Sequence, residues 1–181
     1  MRKLILWLRG RIGAKANRRE MTSRINIVSL TLEGNVRKQA GSKFTRGQYQ
    51  YDPVLLLHRE ASFLKRLDSK YFPRLLDEKD DWITISHCGS ELSSENIPKD
   101  WRQQIEQISV ALEAANIVHR DIKPGNVTVL EGQLQLIDFG WAISGDEEPY
   151  VCPRELCQEV PRNRIYDNRA ALEWVVSSYA R

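Results

Sequence analysis

The sequence predicts an α+β chain built from two unequal parts, a strand-rich first half and a mostly helical second half. Three stretches carry that reading. INIVSLTLEGNVRKQ (25–39) alternates β-branched and polar residues around EGN, where glycine supplies the dihedral a tight hairpin wants. PKDWRQQIEQISVALEAANIVH (98–119) sets Trp101, Ile105, Ile108 and Leu112 at three- and four-residue spacing, which predicts the longest amphipathic helix, with Asp100 as its N-cap. VTVLEGQLQLID (127–138) predicts a second compact hairpin turning at Glu131-Gly132. At 181 residues and 41% apolar composition, with no internal repeat or low-complexity tract, the chain has the makings of one domain in two lobes.

Taken in order, residues 1–24 form a basic leader. Arg2, Lys3, Arg9, Arg11, Lys15, Arg18, Arg19 and Arg24 stand against Glu20 alone, so the leader carries +7 and the rest of the chain −4. LILWL (4–8) is too short to span a bilayer or to serve as an export signal. The leader reads either as a surface-lying N-terminus or as a segment drawn to anionic lipid, at about 1 kcal/mol per basic residue near the surface. Nucleic acid is not expected, because only Trp7 is interleaved there for stacking. After the first hairpin, AGSKFTRGQYQYD (40–52) reads as a polar loop, and a helix is predicted from Pro53 through PVLLLHREASFLKRLDS. DWITISHCG (81–89) reads as a short strand ending at glycine. A polar segment, 144–166, leads to a last helix in YDNRAALEWVVSSYA. Cys88, Cys152 and Cys157 form no C-x-x-C pair and are odd in number, which fits reduced thiols in the cytoplasm, and the three scattered histidines make a zinc site unexpected.

The chemistry concentrates in HRDIKPGNV (119–127) and IDFG (137–140). A carboxylate set among apolar residues is costly unless it is paired or working. Asp121 and Asn126 lie five apart with Lys123 between them, in a loop held by a helix and a hairpin, so all three side chains can aim at one point. The order His119, Arg120, Asp121, Lys123, Asn126 resembles the catalytic loop of protein kinases, and Asp138-Phe139-Gly140 resembles their metal-binding D-F-G. The resemblance implies that Asp121 accepts the substrate hydroxyl's proton, that Asn126 and Asp138 hold magnesium, and that Lys123 steadies the γ-phosphate. Gly140 would let the chain turn away sharply. The resemblance further implies a strand lysine paired with a helix glutamate. Lys38 in NVRKQ fills the first place, with Lys43 or a solvated lysine as the alternative. Glu60 in HREASFLKRL fills the second, with a solvated face pairing to Lys65 or Arg66 as the alternative. DWITISHCG resembles the connector between kinase lobes, so backbone groups of Ser86, His87 and Cys88 would meet adenine and Ile85 would guard the rear of the pocket. His87 itself reads as a surface or hinge histidine. The implied cofactors are ATP and Mg2+.

The pattern also departs from the family. No G-x-G-x-x-G precedes Lys38; only Gly10, Gly13 and Gly34 stand upstream, so TLEGN would act as a shortened lid. YVCPRE (150–155) resembles the close of an activation segment with one residue inserted. Asp167 is either a brace for the catalytic loop's backbone or a plain N-cap. Only Ser144 and Tyr150 carry hydroxyls between Asp138 and Pro153, so control by phosphorylation there is not expected. The expectation is a two-lobed protein-kinase-like fold over 25–181, its reduced N-lobe about 25–88 and its C-lobe about 89–181, the latter truncated after the helix that follows the activation segment. Compact kinases of this outline include the RIO type and bacterial lipopolysaccharide core sugar kinases. The expected activity moves the γ-phosphate of Mg-ATP to a hydroxyl, a protein Ser/Thr foremost, with a lipid-linked sugar at the inner membrane face, or a nucleotide-binding scaffold without transfer, as alternatives. The expected location is cytoplasmic, with peripheral contact at that face through the basic leader.

Overall fold

The computed structural model describes residues 21–22, 26–46, 49–146 and 166–180. The basic leader up to residue 20, Gly10, Gly13, and the segment holding Tyr150, Cys152, Pro153 and Cys157 lie outside the described residues. A five-stranded antiparallel sheet comes first, in the order β1-β2-β3-β7-β6. Its strands are β1 (Met21–Thr22), β2 (Asn26–Leu30) and β3 (Val36–Ala40), then later β6 (Leu75–Glu78) and β7 (Trp82–Ile85). The β2–β3 hairpin turns through Gly34 at φ +81°, a conformation that glycine adopts without strain. Across the sheet Lys38 faces Ile83 and Val36 faces Ile85, so the lysine stands on the same side as a buried aliphatic pair.

Between β3 and β6 the chain forms β4 (Phe44–Arg46) and β5 (Tyr49–Tyr51), then helix α1 (Pro53–Leu64). Residues 40–52 are therefore not the loop that their polarity suggests. Phe44 pairs with Tyr51 and Arg46 with Tyr49 in a short antiparallel ladder, which satisfies the backbone of the stretch. Asp52 caps α1 by accepting the Val54 N–H at 3.0 Å, and Pro53 takes the first turn, where its missing N–H is harmless. The inner face of α1 buries Leu57, Glu60, Ala61, Phe63 and Leu64.

The chain continues through β8 (Ser90–Glu91), α2 (Trp101–Ala114), β9 (Ile117–Val118), β10 (Val127–Leu130), β11 (Gln133–Leu136), β12 (Ile143–Ser144) and α3 (Asn168–Ser177). The strand expected over 81–89 stops at Ile85, because the Ser86 N–H and hydroxyl oxygen turn to the Arg74 backbone and Gly89 takes φ +78°. On α2, Ile105, Ile108 and Leu112 are buried, each contributing roughly 1.5–3 kcal/mol. Asp100 sits at the N-cap position of α2, yet its carboxylate accepts from Gln104 Nε2 at 2.8 Å rather than from a helix N–H. The β10–β11 hairpin turns at Glu131 (φ +50°) and Gly132 (φ +78°), as the sequence predicts. The α3 residues Leu172, Val175 and Val176 close the core beneath α2. Among the described residues no helix is long and apolar enough to cross a membrane.

Candidate active site

The sheet, α1 and the loops flanking β10–β11 bring the motif residues to one cleft. Lys38 donates to both carboxylate oxygens of Glu60, at 2.7 and 2.9 Å, and lies 3.6 Å from Asp138 Oδ1. The side chains of Lys38 and Glu60 are 9% and 1% exposed, so the pair is dry. Burial alone would push the Lys38 ammonium down, but Glu60 and Asp138 offset it and hold the group above its ordinary value. Burial pushes the Glu60 carboxyl up while Lys38 opposes it; the bidentate contact marks the pair as ionic. Lys43 is instead an exposed residue that pairs with Asp52 at 2.7 Å, and Lys65 pairs with Glu78 at 2.6 Å, which leaves Lys38 and Glu60 to each other.

The loop after β9 is fixed by its own backbone and by His119. The imidazole is fully buried; its Nε2 meets the Ile137 carbonyl at 3.1 Å, its Nδ1 accepts the Asp121 N–H at 3.3 Å, and its ring packs edge-on against Phe139. Burial holds it down at about 4, so it is a neutral strut between the two motifs. Arg120 takes φ +66° and Asp138 φ +69°, strained conformations that cost on the order of 1–3 kcal/mol each and are sustained by such packing. Asp138, not Gly140, makes the sharp turn. Gly140 packs in a 3-10 turn (Phe139–Trp141), where an added Cβ would meet the Leu56 carbonyl and Asp138 Oδ1, both at 3.7 Å.

Asp121 is 3% exposed. Its Oδ2 accepts from Lys123 Nζ at 2.5 Å and Asn126 Nδ2 at 3.0 Å, whereas Oδ1 is buried and accepts no hydrogen bond among the described residues. Burial raises its pKa to about 6, opposed by Lys123 and reinforced by the like charge of Asp138. Burial would raise Asp138 as well, but Lys38 and Lys123 hold it below its ordinary value, and its side chain keeps 40% exposure. Asn126 spends both amide protons on Asp121, on its carbonyl at 2.8 Å and on Oδ2, which leaves the amide oxygen to coordinate. One carboxylate and one amide oxygen are hard donors of the kind magnesium takes when phosphate oxygens supply the rest, so these residues fit that ion. No group of three or more His, Cys, Asp or Glu side chains that could hold a metal by themselves occurs among the described residues.

At the expected connector, Ile85 is buried beside Lys38's face of the sheet and His87 is exposed. The Ser86 N–H goes to the Arg74 carbonyl and the Cys88 thiol to the Ser86 carbonyl at 3.2 Å; burial pushes that thiol up to about 12, so it is inert. Asp167 is a plain cap, accepting the Ala170 N–H at 2.9 Å. The brace falls one residue later. Asn168 accepts the His119 N–H at 2.9 Å and donates to the Ile117 carbonyl at 2.7 Å, clamping the chain just before Arg120. Sequence reasoning missed it, although a second short polar side chain directly after a cap residue was a visible signal. Asn168→Ala is expected to lower stability by about 2 kcal/mol in urea unfolding, since two partly buried backbone groups lose their partner. An unchanged midpoint would remove the clamp.

No family model matches the chain. Curated relatives do. The chain is 31% identical over 105 residues to serine/threonine-protein kinase mph1 of Schizosaccharomyces pombe, covering 51% of this chain and 15% of that one. It is 32% identical over 120 residues to a probable serine/threonine-protein kinase KIN28 homolog of Encephalitozoon cuniculi, covering 58% and 37%. It is 29% identical over 70 residues to a probable serine/threonine-protein kinase BUD32 homolog of Archaeoglobus fulgidus, covering 39% and 36%. The chain thus spans well under half the length of these relatives. Among solved structures, the Rio2 kinase-ADP/Mg2+-phosphoaspartate complex from Chaetomium thermophilum superposes with a TM-score of 0.53 at 15% identity, covering 90% of this chain and 62% of that one. Fold and cleft together define a protein-kinase-like architecture. In sequence the chain is similar to serine/threonine-protein kinases over part of their length, and in fold to a Rio2 kinase.

Proposed function

We propose that this chain transfers the γ-phosphate of ATP to a hydroxyl. The observation that carries the reading is Asp121 Oδ1, a buried acceptor that meets no donor among the described residues, on a carboxylate whose other oxygen is fixed by Lys123 and Asn126. A buried acceptor left open is uncommon unless something transient fills it. Asp121 Oδ1 takes the proton of the acceptor hydroxyl as its oxygen bonds to the γ-phosphorus, and the bridging oxygen leaves with ADP. Lys38 and Lys123 set positive charge on either side of Asp138, toward the phosphates, and Glu60 aims Lys38. Asn126 and Asp138 would hold magnesium, which when bound would neutralise charge on the phosphate oxygens. Positioning of this kind, rather than covalent catalysis, is what phosphoryl transfer requires. The ADP/Mg2+ of the Rio2 complex supports nucleotide and magnesium use.

A protein Ser/Thr hydroxyl is the acceptor we favour, supported by the naming of the relatives as serine/threonine kinases. The +7 leader supports a second acceptor, a lipid-linked sugar met at an anionic membrane face. The test is label transfer from ATP and magnesium to a mixed protein acceptor or a lipopolysaccharide extract. Asp138→Ala is expected to reduce transfer at least about a hundredfold, since it removes a charged phosphate-site group from a preorganised centre. Transfer at the native rate by that variant overturns the mechanism; magnesium-ATP binding without any transfer leaves a nucleotide-binding scaffold.

A further inference from the structure

We propose that Thr128 is a positioning residue for the nucleotide, fixing the Ser86–Cys88 strip against the strand that follows Asn126; the inference rests on the phosphotransferase reading above. Thr128 lies on β10 and is 1% exposed. Its hydroxyl donates to the carbonyl of Cys88, forty residues away in sequence. The peptide between Cys88 and Gly89 is held at both ends. Thr128 takes its oxygen, and the imidazole Nδ1 of His87 accepts its N–H at 3.2 Å.

Two further contacts press the strip onto β10. Thr128 pairs with Glu91 and Val129 with Ser90 in the β8–β10 ladder. Gly89 passes so close that an added Cβ would stand 2.1 Å from the Val129 carbonyl oxygen, at a φ of +78°. Only glycine fits there. With the Ser86 N–H committed to Arg74 and the Cys88 carbonyl committed to Thr128, the backbone N–H groups that the strip can still offer a base are those of His87 and Cys88. The Thr128 hydroxyl fixes the Cys88–Gly89 peptide plane and so restricts the torsions of Cys88, whose N–H stands at the other end of the same residue. Thr128 also stands two positions past Asn126, so one short piece of backbone ties the base-facing strip to the proposed magnesium donor. A valine has the same shape but no hydroxyl, and a buried carbonyl with no donor must turn to find one.

The experiment compares native protein, Thr128→Val and Thr128→Ser in Mg-ATP binding, in Mg-tripolyphosphate binding, and in thermal unfolding. Tripolyphosphate has no base, so it reports the phosphate end alone. Thr128→Val is expected to weaken Mg-ATP binding about tenfold, roughly one hydrogen bond, while leaving tripolyphosphate binding within about twofold. Thr128→Ser is expected to restore Mg-ATP binding. Where transfer is measurable, the loss falls on KM for ATP and not on kcat. If Thr128→Val binds both ligands as native protein does, or loses both equally, Thr128 does not position the base and the inference is overturned. If native protein binds neither ligand, the phosphotransferase reading itself fails.

Discussion

Asp121→Asn is expected to cut phosphoryl transfer by about a thousandfold, the loss of a positioned general base, and at pH 7 to make the fold harder to unfold. The two effects share one cause. Burial lifts the Asp121 carboxyl from its ordinary 3.8 to about 6. The folded chain therefore holds that proton more tightly than the unfolded chain. Across pH 3.8 to 6 the folded state binds more protons, so this group's contribution to stability falls as pH rises through the window. Above pH 6 the full penalty is present, on the order of 3 kcal/mol for a shift of about two units. Asparagine carries no charge and removes most of it. Lys123 loses the negative charge of Asp121 but is 18% exposed and can turn to water, so the net gain is on the order of 2 kcal/mol. In the native protein kcat/KM is expected to fall about tenfold per pH unit below about 6, as the base becomes protonated. Urea midpoints at pH 7 and a pH–rate profile check the two halves. Earlier unfolding of the variant, or a rate flat to pH 5, would contradict the assignment of a buried, ionised Asp121.

Much of this cleft was legible in the chain because its residues are fixed by spacing. Asp121, Lys123 and Asn126 share one loop, and Asp138 lies a hairpin further on, so a local reading brings them together. Lys38 and Glu60 are 22 residues apart, yet a strand followed by a helix suffices to pair them. What escaped depends on tertiary facing. The β4–β5 ladder is only three residues a side, too short for its aromatic–polar alternation to stand out from the glycine-containing stretch around it. Whether Asp167 or Asn168 braces the catalytic loop is decided by how α3 is rotated against β9, which a cap signal cannot convey. The left-handed turn fell on Asp138 rather than on the adjacent Gly140, because His119 and Phe139 hold the strained residue in place. A strand threonine such as Thr128 looks the same whether its hydroxyl reaches a carbonyl or solvent.

The Lys38–Glu60 pair sets a harsher test, because its stability and its chemistry come apart. Lys38→Met leaves the Glu60 carboxylate 1% exposed without its cation and deprives Asp138 of a charge 3.6 Å away. Removing one partner of a buried pair costs about 3–5 kcal/mol, much of it the isolated charge that remains. Lys38→Met together with Glu60→Leu removes both charges between a strand position facing buried Ile83 and a helix that also buries Leu57 and Phe63. Hydrophobic replacement of a whole buried pair is often neutral or better. The double variant is therefore expected to unfold within about 1–2 kcal/mol of native protein in urea, while the single variant unfolds far earlier. Activity should not follow stability. Both variants lack the ammonium beside Asp138, so both are expected to transfer label at least about a hundredfold more slowly than native protein. A double variant as unstable as the single one would mean that the ion pair itself holds α1 to the sheet and that apolar side chains cannot replace it. A folded double variant with native transfer would remove Lys38 from the phosphate site. A buried pair that apolar residues could replace at little loss of stability is accounted for by a requirement for charge at the proposed phosphate site.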